Sequence, residues 1–244
     1  MTAILCGYNW IGCNILDQLL ERFEKVFVYT HQSPEHLNDL EAYCKKINIP
    51  YSLNKISEEN IPFVPDVIVS AYYRYIIGSK VIDLVNGKIF NIHPSLLPQY
   101  RGCSSITWAI INNEEHAGYS YHYIDPGVDT GNIILQKQVK ILGYDTQASL
   151  YQRIMFEAAK DFTPALDSVL NNAIGSEQQS NGNAKYYTRG CPYKGEINPD
   201  WDDATKERFI RAMIHPPLPP ATLLGRPIWK FEEINNNYTE QTKK

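Results

Sequence analysis

Four short apolar runs constrain the fold before anything else does: AILCG at 3–7, VFVYT at 26–30, the segment 67–70 and KIFNIH at 88–93. Between them the apolar period changes. Ile11, Ile15, Leu16, Leu19 and Leu20 recur at helical spacing up to Phe23, and a Ser-Pro helix start after the second run leads to Leu37, Leu40, Ala42 and Tyr43 on a polar helix. Strands alternating with helices specify an α/β fold with a mostly parallel, doubly wound sheet, whose ligands bind at the carboxyl ends of the strands. The pattern then changes again. YSYHYI (119–124) and IILQKQVKI (133–141) are alternating strands joined by the turn DPGVDTGN, an antiparallel addition, and 146–170 is expected as one long amphipathic helix.

The Gly/Asn-rich tract 176–185 reads as a linker and divides the chain into a main domain, 1–180, and a C-terminal extension, 181–244. The extension carries a helix in DWDDATKERFIRAMI with an Asp cap, then a hairpin in ATLLGRPIWKFEEI with its turn at Gly225 and Pro227, and NNNYTEQTKK is expected to fray. The hairpin's apolar residues Leu223, Leu224, Ile228, Trp229 and Phe231 need a cover, and a homodimer is the expected source.

Composition removes several function classes. The formal charge is -4 with Lys and Arg scattered, so nucleic acid is not an expected partner. No apolar run reaches the ~20 residues of a membrane span, and MTAILCGYNWIG has no basic leader, so no membrane partner and a cytoplasmic location are expected. Five cysteines, at 6, 13, 44, 103 and 191, form no CxxC pair and are expected as reduced thiols, with no metal site among them. GYNWIG after the first strand lacks GxGxxG, and Thr30 and His31 stand where a dinucleotide fold needs an acid. The turn still sends Tyr8, Asn9 and Trp10 toward the ligand crevice, with Trp10 open between core and ligand contact.

The chemistry concentrates at GKIFNIHPSLLPQYRG, 87–102. Asn91 and His93 lie two residues apart on a strand and so share a face, and the turn 125–131 supplies Asp125 and Asp129. An amide donor, a base and an anion to orient the base form a constellation for acyl transfer. A metal site from His93, His122 and Asp125 is the weaker rival, since no ligand spacing supports it.

The strings NIHPSLLPQYRG (91–102) and DPGVDTG (125–131) resemble the signature of the 10-formyltetrahydrofolate-dependent formyltransferases, and similar element order covers most of 1–170. The resemblance implies a Rossmann-like domain, 10-formyltetrahydrofolate as formyl donor, and Asn91, His93 and Asp129 as catalytic residues. It places folate against Arg74, Tyr75, Ile76 and Ile77 and the turn at Ile124 and Asp125. The chain departs from the pattern at Cys103-Ser104-Ser105-Ile106, where relatives often have Pro soon after Arg-Gly.

The tail distinguishes acceptors within that family. Methionyl-tRNA enzymes carry a further basic domain, and purine-pathway enzymes lack a Trp-helix-hairpin tail. The remaining resemblance is to sugar N-formyltransferases, which implies a dTDP-linked 4-amino-4,6-dideoxyhexose such as dTDP-4-amino-4,6-dideoxyglucose, formylated for surface polysaccharide (O-antigen) synthesis. Tyr8, Trp10, Arg101, Arg189, Lys194, Trp201 and Arg211 are the expected substrate contacts, with an anchoring role for Trp201 and a local cap for Arg211 as the competing readings. A formyltetrahydrofolate hydrolase and a non-catalytic folate-binding module are the competing functions.

Overall fold

The computed structural model describes residues 1–34, 39–172, 178–179, 182 and 184–234. In chain order the first elements are β1 (Thr2–Gly7), α1 (Asn9–Leu20), β2 (Lys25–Tyr29), α2 (Leu40–Lys46), β3 (Tyr51–Ser52), β4 (Val67–Ala71), α3 (Ser79–Leu84) and β5 (Ile89–His93). They are followed by β6 (Arg101–Gly102), α4 (Ser105–Ile111), β7 (His116–Tyr123), β8 (Ile133–Lys140), α5 (Gln147–Lys160) and α6 (Phe162–Leu170). The last are β9 (Tyr186–Tyr187), α7 (Asp203–Ala212), β10 (Ala221–Leu223) and β11 (Arg226–Ile228).

Seven strands form one sheet in the order β3-β2-β1-β4-β5-β7-β8. From β3 to β5 the pairs are parallel, and β7 adds to β5 antiparallel. Ala3 to Cys6 and Val67 to Val69 are fully buried, which is why these central strands read as unbroken apolar runs instead of alternating ones. Strand order reverses between β1 and β4, and Tyr8 N–H donates to the Ala71 carbonyl as the two segments leave the sheet together. The glycines of GYNWIG serve helix packing: a Cβ on Gly12 would come 2.9 Å from Leu40 Cδ2 of α2.

Several expectations shift. The helix expected from Ser33-Pro34 begins at Leu40, where the Asp39 carboxylate accepts from Glu41 N–H, and Leu37 lies outside the described residues. The expected long helix over 146–170 is two helices, α5 and α6, parted at Asp161. Pro164 is the cause: it has no N–H for the Lys160 carbonyl and fits only in a helix's first turn, so a new helix starts just before it. Most of 176–185 lies outside the described residues, but Gln179 in it is buried. Residues 235–244, expected to fray, also lie outside them.

The chain sorts into two compact units, Met1–His93 with Tyr119–Lys137 and Met155–Gly182, and Pro94–Gly118 with Gln138–Ile154 and Asn183–Lys244. The expected division at 180 was linear, whereas these units interleave along the chain. In the second unit α4 starts directly at Ser105, after Ser104 takes a left-handed φ of 58°, so the departure from Pro does not cost the helix. The α7 cap is the expected one, with Asp202 accepting from Thr205 N–H at 2.7 Å, a bond that holds its carboxyl below the usual range. The hairpin turn differs: Leu224 (φ 50°) and Gly225 (φ 76°) form it, and Pro227 sits within β11 opposite Thr222. Two consecutive positive φ values are what a two-residue hairpin loop requires. Leu223 and Ile228 are buried with Ile197, Phe209, Ile210, Ala221 and Ile234, so the hairpin's inner face is covered by its own chain.

Candidate active site

Asn91 and His93 reach the same side of the sheet because they are two residues apart on β5, and the register with β7 sets Asn91 opposite His122 and His93 opposite Ser120. The histidines are 5% and 2% exposed. His122 Nδ1 lies 2.8 Å from the Tyr123 carbonyl oxygen, which can only accept, so Nδ1 carries the proton. In the neutral ring Nε2 is then an acceptor, and the Asn91 amide donates to it at 3.1 Å. That fixes the Asn91 side chain and leaves the amide's second N–H outside this bond.

The turn after β7 delivers the third group. Asp129 places Oδ2 3.5 Å from His93 Nδ1 and Oδ1 3.5 Å from His122 Nε2, so one carboxylate lies between two imidazoles. At 3.5 Å the carboxylate is close to both rings without a short hydrogen bond to either, and catalytic bonds commonly tighten once substrate arrives. Asp129 does this from a left-handed backbone, φ 53°. Asp125 supports the turn: its Oδ1 accepts from Gly127 N–H at 3.0 Å and from Thr130 Oγ1 at 2.6 Å. The two glycines are required by close approach, since a Cβ would lie 1.9 Å from Thr130 Oγ1 at Gly127 and 1.9 Å from the Tyr123 carbonyl at Gly131. Gln179 closes the turn, donating from Nε2 to the carbonyls of Asp129 and Gly131 at 3.0 and 2.6 Å. The three residues of the rival metal set are not turned toward one another: the Asp125 carboxylate is engaged within its own turn, and the histidines face Asp129. Among the described residues no group of three His, Cys, Asp or Glu side chains is placed to hold a metal ion.

The expected folate residues lie in the same unit. The loop 72–77 leaves β4 beside the end of β5, with Ile76 exposed, Ile77 buried, and the Arg74 guanidinium 5.4 Å from the Tyr75 ring centre. Ile124 packs on the cluster that contains Ile77, together with Tyr73, whose phenol burial pushes up. Ile77 is therefore core under the loop. Tyr8 stacks on His31 at 3.9 Å and Trp10 meets the half-exposed Phe156 at 4.5 Å, which resolves Trp10 as a surface aromatic pair and not deep core.

The other expected substrate residues belong to the second unit. Arg101 is 7% exposed in β6, which pairs with β9. Arg189 lies just past β9, and Lys194 shares a 3-10 turn, Pro192–Gly195, with Tyr193, both in left-handed backbone. Trp201 packs edge-on against Tyr193 and Phe209, which makes it an anchor for α7. Arg211 donates to Glu207 Oε1 at 2.6 Å and to the Asp145 carbonyl at 2.7 Å, so its guanidinium caps local structure. The sequence reading treated His122 only as a metal ligand and missed Gln179; the cross-strand position of His122 opposite Asn91 was the available signal for the first.

A formyl transferase family model matches residues 35–166, more than half of the chain. The chain belongs to the formyl transferase family. This formyltransferase is 36% identical over 228 residues, 91% of its length and 85% of the relative's, to the GDP-perosamine N-formyltransferase of Brucella melitensis. Its fold matches WlaRD, a sugar 3N-formyl transferase solved in the presence of dTDP and 5-N-formyl-THF, with TM-score 0.80 and 26% identity over 94% of this chain and 84% of that one. It also matches an N-formyltransferase from Helicobacter canadensis in complex with folinic acid and dTDP-3-aminofucose, with TM-score 0.78 and 26% identity over 94% of this chain and 86% of that one. The expected α/β, Rossmann-like fold with a small C-terminal hairpin is thus shown, and so is the expected class of enzyme.

Proposed function

We propose that the protein transfers a formyl group from 10-formyltetrahydrofolate to the C4 amine of a nucleotide-linked 4-amino-4,6-dideoxyhexose. The observation that carries this is the Asn91, His93 and Asp129 group at the ends of β5 and β7, in a chain 36% identical to an enzyme named for GDP-perosamine. Perosamine is itself a 4-amino-4,6-dideoxyhexose, so the expected sugar class is retained. The carrier is revised: a guanosine diphosphate sugar is the first reading, and the expected dTDP sugar, dTDP-4-amino-4,6-dideoxyglucose, is the second; the dTDP-bound structural relatives support the dTDP carrier, while their own amines are at C3. Formyltetrahydrofolate serves as formyl donor, and its flat ring system suits the exposed Ile76, Tyr75 and Arg74 of the loop beside β5.

When bound, the donor presents an electrophilic formyl carbon. The neutral sugar amine attacks it, a C–N bond forms, and the bond from that carbon to the folate nitrogen breaks. Asn91 donates its second N–H to the oxygen on which negative charge develops. His93 stabilises the same charge, and Asp129 orients His93 and relays the amine proton to the departing nitrogen. His122 holds Asn91 and flanks Asp129 from the other side. Tyr8 and Trp10 in the first unit, and separately Arg101, Arg189 and Lys194 in the second, remain as proposed acceptor contacts, while Trp201 and Arg211 also make local structural contacts. The homodimer rests on Leu218, Leu224 and Trp229, which are 59%, 64% and 43% exposed, and no longer on an uncovered hairpin. Use of the product in surface polysaccharide follows from the sugar class.

The test is incubation with 10-formyltetrahydrofolate and a panel of GDP- and dTDP-linked amino sugars, glycinamide ribonucleotide and no acceptor, read by mass. A 4-amino-4,6-dideoxyhexose should gain one formyl group. Formylation of glycinamide ribonucleotide alone, or formate release without acceptor, would overturn the reading.

A further inference from the structure

The tract around Gln179 has the composition of a solvated linker, yet the Gln179 side chain is only 8% exposed. A long polar side chain is held in such a position only when its polar atoms are satisfied. The carboxamide nitrogen has two hydrogens, and the structure gives it two carbonyl acceptors, Asp129 O at 3.0 Å and Gly131 O at 2.6 Å. These carbonyls flank Thr130, so a single side chain clamps the turn on both sides of one residue. Asp129 is in left-handed backbone there, a conformation that persists only where surroundings over-determine it. Asp125 fixes the front of the same turn through Gly127 and Thr130, but no bond from Asp125 reaches the peptide groups at its far end.

We propose that Gln179 is a positioning residue for catalysis, holding the 129–131 backbone so that the Asp129 carboxylate lies between His93 and His122. The inference rests on the catalytic assignment of Asp129. Its consequence is that Gln179, beyond α6, contributes to the active site, although the sequence around it reads as a connection. Nothing in the clamp touches substrate. Its loss therefore lowers turnover and leaves the Michaelis constants for donor and acceptor nearly unchanged, because what it fixes is the aim of Asp129 and not a ligand contact.

The discriminating variant is Gln179→Met, which keeps length and volume and removes both donors. It is expected to lower kcat about tenfold, in line with losing one or two neutral hydrogen bonds, with KM values within about twofold. Gln179→Glu is expected to fall further, since a carboxylate facing two carbonyl oxygens repels them. In Asp129→Asn background, Gln179→Met should cost nothing more, because the group being aimed is already gone. Hydrogen exchange in 125–131 should accelerate in Gln179→Met, a readout that needs no acceptor. Wild-type kcat in Gln179→Met, or losses that multiply in the double variant, would overturn the proposal. Full activity in Asp129→Asn alone would instead overturn the catalytic assignment beneath it.

Discussion

Asp129 and Leu224 share an unfavourable backbone, φ 53° and φ 50°, in two turns that otherwise have little in common. At Leu224 the left-handed residue closes a hairpin, and the side chain it carries is 64% exposed and satisfies nothing. At Asp129 the conformation points a carboxylate at two buried imidazoles, the group proposed as catalytic. The supports differ accordingly. The Asp129 turn is held by polar bonds from Asp125 and Gln179, each directional, whereas the hairpin is held by Leu223 and Ile228 in an apolar cluster. Directional bonds fix an atom to a fraction of an ångström; apolar packing fixes a fold and tolerates a poor turn residue. The same strain thus serves the proposed catalytic group in one place and is merely tolerated in the other.

The largest effect expected from this difference is at the catalytic turn's own target. His93→Ala should lower kcat by ~10²–10⁴, and Asp129→Asn should match it because the two act as a unit. Asn91→Ala should lose ~10²–10³. Thermal unfolding should shift little in any of them. The sharper variant is Asp129→Gly, which relieves the backbone strain and deletes the carboxylate: kcat should fall as far as in Asp129→Asn while Tm holds or rises. Retained turnover in Asp129→Gly would mean that the turn's shape, and not its carboxylate, matters.

Next in size is a stability effect in the second region. Trp201→Ala removes a ring packed against Phe209 and Tyr193 and should destabilise by roughly 2–4 kcal/mol, read as a lower Tm. The kcat at a temperature where the protein stays folded should be unchanged, and KM for the nucleotide sugar should move less than the one to two decades expected of a base-stacking residue. A large KM change with Tm intact would restore Trp201 as a ligand contact.

How much of either region could be read from sequence follows from the kind of force that holds it. Buried parallel strands announced themselves as apolar runs, and the period-2 spacing of Asn91 and His93 placed both on one face without any structure. The break at Asp161 was legible too, since Pro164 forbids a continuous helix, but the apolar period carries across the break and masked it. Gln179 was not legible: its role depends on two backbone carbonyls 48 and 50 residues away, and backbone acceptors leave no mark on composition. Arg211 shows the opposite limit. Arginine fits a phosphate by chemistry, but Glu207 stands one helical turn before it and the Asp145 carbonyl takes another of its donors.

The smallest expected effect tests the other half of the comparison. If Leu224 is strain without purpose, replacing it by a residue suited to left-handed backbone should help. Leu224→Asn would place Asn before Gly225, the pairing that two-residue hairpin loops favour, and the lost side chain buries little. A left-handed backbone costs an ordinary residue about 1–2 kcal/mol, of which Asn recovers part, so a gain of ~0.5–1 kcal/mol and a small rise in Tm are expected, with kcat unchanged. Sedimentation of the same variant then addresses the proposed dimer. If a second copy covers Leu224, the substitution removes an apolar contact, so dissociation should be easier and the rise in Tm should vanish or reverse at concentrations where the wild type is dimeric. A higher Tm together with an unaltered association state would leave Leu224 as tolerated strain and move any dimer contact to Leu218 and Trp229.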